Sequence, residues 1–256
     1  VRLGIASAGI KKVGRKDIVV FELAPGSSVA GVFTQNAFCA APVTVAKSHI
    51  TGAESRYLLV NTGNANAGTG EQGLRDAKRC CEALAELTSV SPEQVLPFST
   101  GVIGESLPVD KILTALPDAL SDLSEDNWAA AASGIMTTDT RPKACSRQLE
   151  WQGRTITITG ISKGAGMIKP NMATMLGYIF TDAHVAPHFL QELLSAANAQ
   201  TFSCITVDGD TSTSDTVLLF ATGMATGQPE IETAADNSLD AFKAALDDIM
   251  IDLAHQ

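Results

Sequence analysis

One short segment carries residues that could do acyl-transfer chemistry. Residues 163–176 read KGAGMIKPNMATML, and the glycines and the proline disfavour a helix there. Within this segment Ala173 precedes Thr174, and an apolar run follows as far as Phe180. A threonine hydroxyl in a strained loop can attack the carbonyl before it, and hydrolysis of the resulting ester cuts the chain. The segment therefore has the residues for self-cleavage between Ala173 and Thr174.

Cleavage at that bond would give Thr174 a free α-amino group beside its own hydroxyl. Such an amine has a pKa of roughly 7.7–8.0, so it can accept the hydroxyl proton near neutral pH. Enzymes with an N-terminal threonine nucleophile use this pairing of groups. Ala-Thr pairs are common, however, and these residues alone leave a plain structural loop as the alternative.

Three further segments combine small polar residues with glycine or alanine beside apolar runs. They are residues 61–67 (NTGNANA), 99–104 (STGVIG) and 208–213 (DGDTST). The Thr100-Gly101 pair could aim a hydroxyl and a backbone N–H at one point, as an oxyanion hole requires, although an ordinary turn is the alternative. The asparagines of the first segment could line a small-molecule pocket, because amides offer donors and acceptors together.

These four segments resemble, in the same order, segments of the ornithine acetyltransferase (glutamate N-acetyltransferase) family, and the resemblance runs from residue 1 to residue 256. It implies a self-cleaving enzyme of arginine biosynthesis with Thr174 as the nucleophile. It also implies an oxyanion hole at Thr100 and Gly101. The substrate contacts that it implies are Thr140, Lys163 and Thr174.

The resemblance also implies a ping-pong reaction, in which the acetyl group of N-acetylornithine passes to the threonine and then to glutamate. No cofactor is expected, although some members of the family accept acetyl-CoA as a donor. Residues 1–173 would form an α chain and residues 174–256 the start of a β chain. Two α and two β chains are expected to assemble in the cytoplasm. Because the family's chains continue well beyond this point, the β chain is expected to be truncated at residue 256.

Two other functions remain open. N-terminal-nucleophile amidases and aminopeptidases share the precursor design but pass the acyl group to water. A catalytically silent binding protein would carry the same segments and never cleave. Acetyl transfer to glutamate without hydrolysis, together with fragments divided between Ala173 and Thr174, would separate an acetyltransferase from both.

The composition favours a soluble globular enzyme, with 45% hydrophobic and 18% charged residues. The net charge of −10 argues against a nucleic-acid partner, which would need clustered lysine and arginine. No apolar run approaches the length of a membrane span, and the first 20 residues lack a signal-peptide pattern.

No metal site is predicted. The five cysteines contain no CxxC pair, which argues against a zinc site or a disulfide framework and favours a reducing cytoplasm. The D-x-D spacing at Asp208 resembles a calcium loop, but Thr213 and Leu219 stand where such a loop needs glycine and glutamate.

The apolar patterns predict an α/β fold of layered mixed or antiparallel sheets flanked by helices, because the strands are short and the helices follow in pairs. Strands are expected at 19–23, 29–34, 43–46, 57–60, 175–180, 203–207 and 216–222, and a hairpin at 145–151 and 154–161. Helices are expected at 72–87, 108–120, 125–136, 187–199 and 238–255.

Overall fold

The computed structural model describes residues 1–151, 153–169, 175–225, 227, 230–233 and 239–256. Within these residues it has nine strands: β1 (Arg2–Ala6), β2 (Ile18–Glu22), β3 (Ser28–Phe33), β4 (Tyr57–Asn64), β5 (Val95–Val102), β6 (Lys143–Trp151), β7 (Arg154–Lys163), β8 (Leu176–Thr181) and β9 (Thr216–Ala221). The six α-helices are α1 (Ala41–Gly52), α2 (Gly70–Thr88), α3 (Val109–Ser121), α4 (Trp128–Gly134), α5 (Pro187–Gln200) and α6 (Leu239–His255).

The strands form two mixed sheets. In the first sheet the order is β1-β2-β4-β5, and only β4 and β5 run parallel. In the second sheet the order is β3-β9-β8-β7-β6, and only β8 and β9 run parallel. The predicted hairpin is β6–β7, in which Trp151 pairs with Arg154. The α/β content and the mixed, largely antiparallel sheets confirm the predicted fold class.

Helices, sheet, sheet and helices are stacked in four layers. Side chains alternate across a strand, so Val19 and Phe21 of β2 face the second sheet, whereas Ile18 and Val20 face α2 and α3. Residues of β9 divide in the same way between the inter-sheet core and the core under α5 and α6. Both faces of the central strands are therefore buried, and their sequences read as continuous apolar runs.

Aromatic rings join the two sheets. Phe180 of β8 stacks on Phe220, with ring centroids 4.8 Å apart, and on Phe21 of the first sheet at 5.5 Å. The edge of Trp128, at the start of α4, completes the contact at 5.4 Å. This packing fixes the position of one sheet relative to the other.

Two predicted strands are wrong. Residues 43–46 belong to α1, where Pro42 occupies the first turn and fixes a helical φ angle. The β-branched residues there resemble a strand, but the helix is stabilised because it buries one side against β5 and α2. Residues 203–207 contain a 3-10 turn, Phe202–Cys204, rather than a strand. Among the described residues, no helix is long and apolar enough to cross a membrane.

The sheet topology does not divide the chain at residue 174. Strand β3 pairs with β9, and β7 pairs with β8, so residues on both sides of the predicted cleavage point share one sheet. The α and β chains predicted from the sequence would thus be two parts of a single folded unit. The cleavage itself stays a prediction at this stage.

Removing the central aromatic ring should loosen the sheet-to-sheet packing. Phe180→Ala is expected to lower the free energy of unfolding by about 3–5 kcal/mol, because it leaves a cavity among rings that cannot close around it. The matched control, Leu87→Ala, changes a half-exposed residue of α2 and should cost less than about 1 kcal/mol. Chemical denaturation followed by circular dichroism measures both, and equal costs would contradict the proposed role of Phe180.

Candidate active site

A cavity of about 500 Å³ opens where strand ends from both sheets meet, and its volume suits a small molecule. Its described lining comes from the loop after β1, the ends of β4 and β5, the turn at 137–138, the segment after Lys163 and residues 212–214. Thr100, Gly101 and Lys163, which are distant in sequence, all line this one cavity.

The ends of β4 and β5 approach each other closely at a pair of glycines. Gly63 lies opposite Gly101 in the parallel register. Gly101 has a φ of 140°, and a Cβ there would lie 2.3 Å from the carbonyl carbon of Gly63. No other residue fits this backbone. The preceding Thr100 is 8% exposed and lines the cavity.

Lys163 is the last residue of β7 and is only 4% exposed. Its Nζ donates to Oγ1 of Thr100 over 3.2 Å. Burial lowers the pKa of Lys163, while the negative charges of Asp139 and Asp215 oppose that change. Because the Thr100 oxygen already accepts this bond, its O–H remains able to donate to another acceptor.

The buried carboxylate of Asp139 holds together three segments next to Lys163. Its Oδ1 accepts from Nζ of Lys143 and from the N–H of Gly164, both at 2.7 Å, and its Oδ2 accepts from the N–H of Thr137 at 3.1 Å. Burial raises the pKa of Asp139. These hydrogen bonds and the charge of Lys163 lower it by more, so the pKa lies below its ordinary value. The carboxylate is therefore held ionised, with its charge compensated.

The structure separates two candidates within the run Thr137-Thr138-Asp139-Thr140. Thr140, the predicted substrate contact, is exposed and is not among the described residues that line the cavity. Thr137 and Thr138 line it instead. The N–H of Thr137 donates to the carboxylate of Asp139, and this bond holds the turn that begins at Thr137.

The asparagine amides of residues 61–67 hold the loop rather than face the cavity. Nδ2 of Asn61 donates to the Asn64 carbonyl, Nδ2 of Asn64 to the carbonyls of 105 and 106, and Nδ2 of Asn66 to the Gly73 carbonyl. From this segment it is Gly63 and Ala65 that line the cavity. The amides thus position β4 beside β5, and a direct contact with substrate is not their evident role.

The sequence reading missed three basic residues that line the cavity: Lys11, Lys12 and Arg15. Asp17 fixes their loop, because its carboxylate accepts the N–H groups of residues 8 and 10 at 2.6 and 2.7 Å. In a chain of net charge −10, a basic wall favours anionic ligands. The sequence signal that could have identified them is a cluster of three basic residues within five positions of an acidic chain.

Ala173 and Thr174 lie outside the described residues. The described residues nearest to them are Lys169 and Met175. Met175 is 7% exposed, and its carbonyl accepts from the N–H of Thr216 at 3.0 Å. It leads directly into β8, whose first residue, Leu176, pairs with Lys163. The chain therefore enters β8 beside the cavity.

Comparison with known proteins identifies the relatives of this chain. The model of the ArgJ family matches residues 2–256. The arginine biosynthesis bifunctional protein ArgJ of Pseudomonas syringae pv. tomato is 62% identical over 252 residues, which make up 98% of this chain and 62% of that protein. The protein of the same name from Methylococcus capsulatus is 55% identical, again over 62% of its length. The chain thus spans only part of these relatives.

Solved structures of proteins from other organisms are also similar to this chain. The ArgJ protein of Bacillus halodurans is 33% identical, with a TM-score of 0.55 over 67% of this chain and 91% of that one. The ornithine acetyltransferase of Mycobacterium tuberculosis, complexed with ornithine, is 30% identical, with a TM-score of 0.54 over 66% and 91%. An aminopeptidase of Ochrobactrum anthropi, described as a variant of the Ntn hydrolase fold, is 13% identical, with a TM-score of 0.58 over 99% and 82%. That last likeness shows the fold alone.

Breaking the Lys143–Asp139 pair should destabilise the site. Lys143→Met is expected to cost about 3 kcal/mol or more in the free energy of unfolding, because it leaves a buried carboxylate with too little compensation. The difference in the free energy of unfolding between Lys143→Met and the wild type should narrow at acid pH, because a protonated Asp139 no longer needs the ammonium group and the wild type, in which the pKa of Asp139 is lowered, protonates it last. Denaturant titrations at several pH values measure this.

The double variant Asp139→Asn/Lys143→Met is the matched control. It removes both charges, so it should be more stable at neutral pH than Lys143→Met alone. A single variant as stable as the wild type at neutral pH would contradict the importance of this pair.

Proposed function

Because this chain belongs to the ArgJ family, we propose that it belongs to an acyltransferase of arginine biosynthesis, which moves the acetyl group of N-acetylornithine to glutamate. One observation carries the proposal: Thr100, Gly101 and Lys163, to which the family resemblance assigns this chemistry, converge on one cavity beside the entry to β8. The segment that carries Thr174 leads into that strand.

Self-cleavage between Ala173 and Thr174 is the first step of the proposed mechanism. The Thr174 hydroxyl attacks the Ala173 carbonyl carbon, the peptide C–N bond breaks, and the nitrogen leaves as the free α-amine. Water then hydrolyses the ester and frees the hydroxyl.

Acetyl transfer then uses the new N-terminus. The α-amine takes the proton of the Thr174 hydroxyl as the oxygen attacks the acetyl carbonyl carbon of N-acetylornithine. That proton passes to the leaving amine, and ornithine departs from an acetyl-threonine ester. The amine of glutamate attacks the ester in its turn and leaves as N-acetylglutamate. These steps use groups of the protein and the substrates, and no cofactor is required.

Thr100 and Gly101 form the oxyanion hole in this proposal. The Thr100 hydroxyl and the Gly101 N–H would donate to the oxygen that becomes negative as each tetrahedral intermediate forms. The bond from Lys163 supports this role, because a hydroxyl oxygen that accepts from an ammonium group is a stronger donor through its own proton.

Substrate carboxylates are assigned to Lys163, with Thr137 beside it. Lys163 is a buried cation at the cavity wall, so a carboxylate there would restore the charge balance that burial disturbs. Thr137 takes the contact first assigned to Thr140, since Thr137 lines the cavity. The basic residues Lys11, Lys12 and Arg15 would attract such anions to the opening.

The remaining features follow from the family. Relatives carry the name bifunctional protein, which supports acetyl-CoA as a second acetyl donor. We also propose that the cleaved protein assembles from two α and two β chains in the cytoplasm. Size-exclusion chromatography with light scattering tests the assembly, and a glutamate acetylation assay supplied with acetyl-CoA alone tests the second donor.

Self-cleavage should depend on the Thr174 hydroxyl. In the full-length protein, Thr174→Ala is expected to give a single uncut chain with no acetyl transfer, because the attacking oxygen is gone. Thr174→Ser keeps a hydroxyl and should still yield two fragments. Intact mass spectrometry measures both outcomes. Two fragments from the alanine variant would show that another group attacks.

The oxyanion hole gives a kinetic prediction. Thr100→Ala should lower kcat by about a hundredfold, or roughly 3 kcal/mol, with little change in KM, because the donor acts only on the charge that develops in the reaction. Thr114→Ala, on an exposed turn of α3, should leave both constants unchanged. Steady-state assays of transfer from N-acetylornithine to glutamate measure these values. An unchanged kcat in Thr100→Ala would exclude this assignment.

A further inference from the structure

The turn at residues 208–210 holds the segment that precedes the predicted cleavage point. The carboxylate of Asp208 accepts from the N–H of Met167 at 2.8 Å through Oδ2 and from the N–H of Ile168 at 3.0 Å through Oδ1. The bonds also run the other way, because the Ile168 carbonyl accepts from the N–H groups of Val207 and Asp208 at 3.0 and 3.1 Å. Four hydrogen bonds thus tie residues 167–168 to residues 207–208.

The same part of the chain also holds Met175, the second residue after the predicted cleavage point. The Met175 carbonyl accepts from the N–H of Thr216 at 3.0 Å, eight residues beyond Asp208. Both ends of the span from Ile168 to Met175 are therefore fastened to one following stretch, residues 207–216. Ala173 and Thr174 belong to that span. Fixed flanking residues reduce the entropy cost of an intramolecular attack between them.

The conformation at Met167 shows why a side-chain anchor is needed. Met167 has a φ of 56°, in the left-handed region that residues with a side chain rarely adopt. Such a conformation persists only when its surroundings impose it. The N–H of Met167 is one of the two that point at Asp208. The hydrogen bond from Met167, with those from Asp210 and Ile168, lowers the pKa of Asp208 below its ordinary value, so the acceptor is charged at neutral pH.

From this geometry we infer that Asp208 is a positioning residue for self-cleavage: its carboxylate fixes Met167 and Ile168, which lie ahead of the predicted cleavage point, and the rate of cleavage depends on this anchor. It acts through the backbone of the loop and forms no bond to the reacting atoms. The inference rests on the proposed function, because it presumes cleavage at Ala173–Thr174. It assigns a role to the DGDTST segment, which the proposed transfer mechanism leaves unused.

The test compares Asp208→Ala with Asp210→Ala in the full-length protein. Both variants remove one negative charge from the same exposed turn, but the carboxylate that Met167 and Ile168 contact is lost only in the first. Chains pulse-labelled during synthesis are followed by gel electrophoresis and intact mass spectrometry. Cleavage is expected to slow by about tenfold or more in Asp208→Ala and to keep the wild-type rate in Asp210→Ala.

A second measurement distinguishes positioning from a general loss of structure. In an uncleavable Thr174→Ala background, the amide hydrogens of Met167 and Ile168 should exchange faster when Asp208 is changed, while those of β8 and β9 keep their protection. If Asp208→Ala does not fold, Asp208→Asn, which retains one acceptor oxygen, takes its place under the same criteria.

The possible results separate the two proposals. Cleavage of Asp208→Ala at the wild-type rate would overturn this inference and leave the proposed function standing. Equal slowing in Asp208→Ala and Asp210→Ala would also overturn it, because the effect would then belong to the charge of the turn. A wild-type full-length chain that never cleaves would overturn the proposed function and this inference with it.

Discussion

The buried carboxylate of Asp139 is the interaction on which the candidate site depends. A charge without solvent is costly unless it is paired and fully hydrogen-bonded, and here the partners are Lys143, Gly164 and Thr137. Meeting that requirement fastens the start of β6, the end of β7 and the turn between α4 and β6 to one point. Burial lowers the pKa of Lys163, and the negative charge of Asp139, together with that of Asp215, opposes this effect.

The site is assembled between the two sheets, and the inter-sheet packing sets its dimensions. Thr100 belongs to a strand of the first sheet, while Lys163 ends a strand of the second. The distance between them therefore reflects how the sheets pack, through rings such as Phe21, Phe180 and Phe220. A shift of one sheet would separate the hydroxyl from the ammonium group without changing either residue. The relative position of Thr100 and Lys163 therefore depends on the packing of the core between the sheets.

The topology also explains how a chain of this fold could be cut and remain whole. Strands β7 and β8 lie on opposite sides of the proposed cleavage point and are paired along their length, as are β3 and β9. Cleavage would remove one peptide bond from a sheet held by many hydrogen bonds and by two shared cores. The two parts of the chain would then remain one folded unit, which an enzyme with an N-terminal nucleophile requires.

Local patterns in the sequence determined most elements, because apolar periodicity and turn residues such as glycine act over a few residues. The layered α/β class and nearly all the helices were predictable in this way, whereas the Thr100-Gly101 pair was singled out only by the family resemblance. Tertiary structure alone decided the rest. Residues 43–46 became helical by packing against β5, and Thr137 rather than Thr140 lines the cavity. Asp139 and Lys143 are four residues apart in sequence, yet their importance depends on burial, which is created only when distant strands meet.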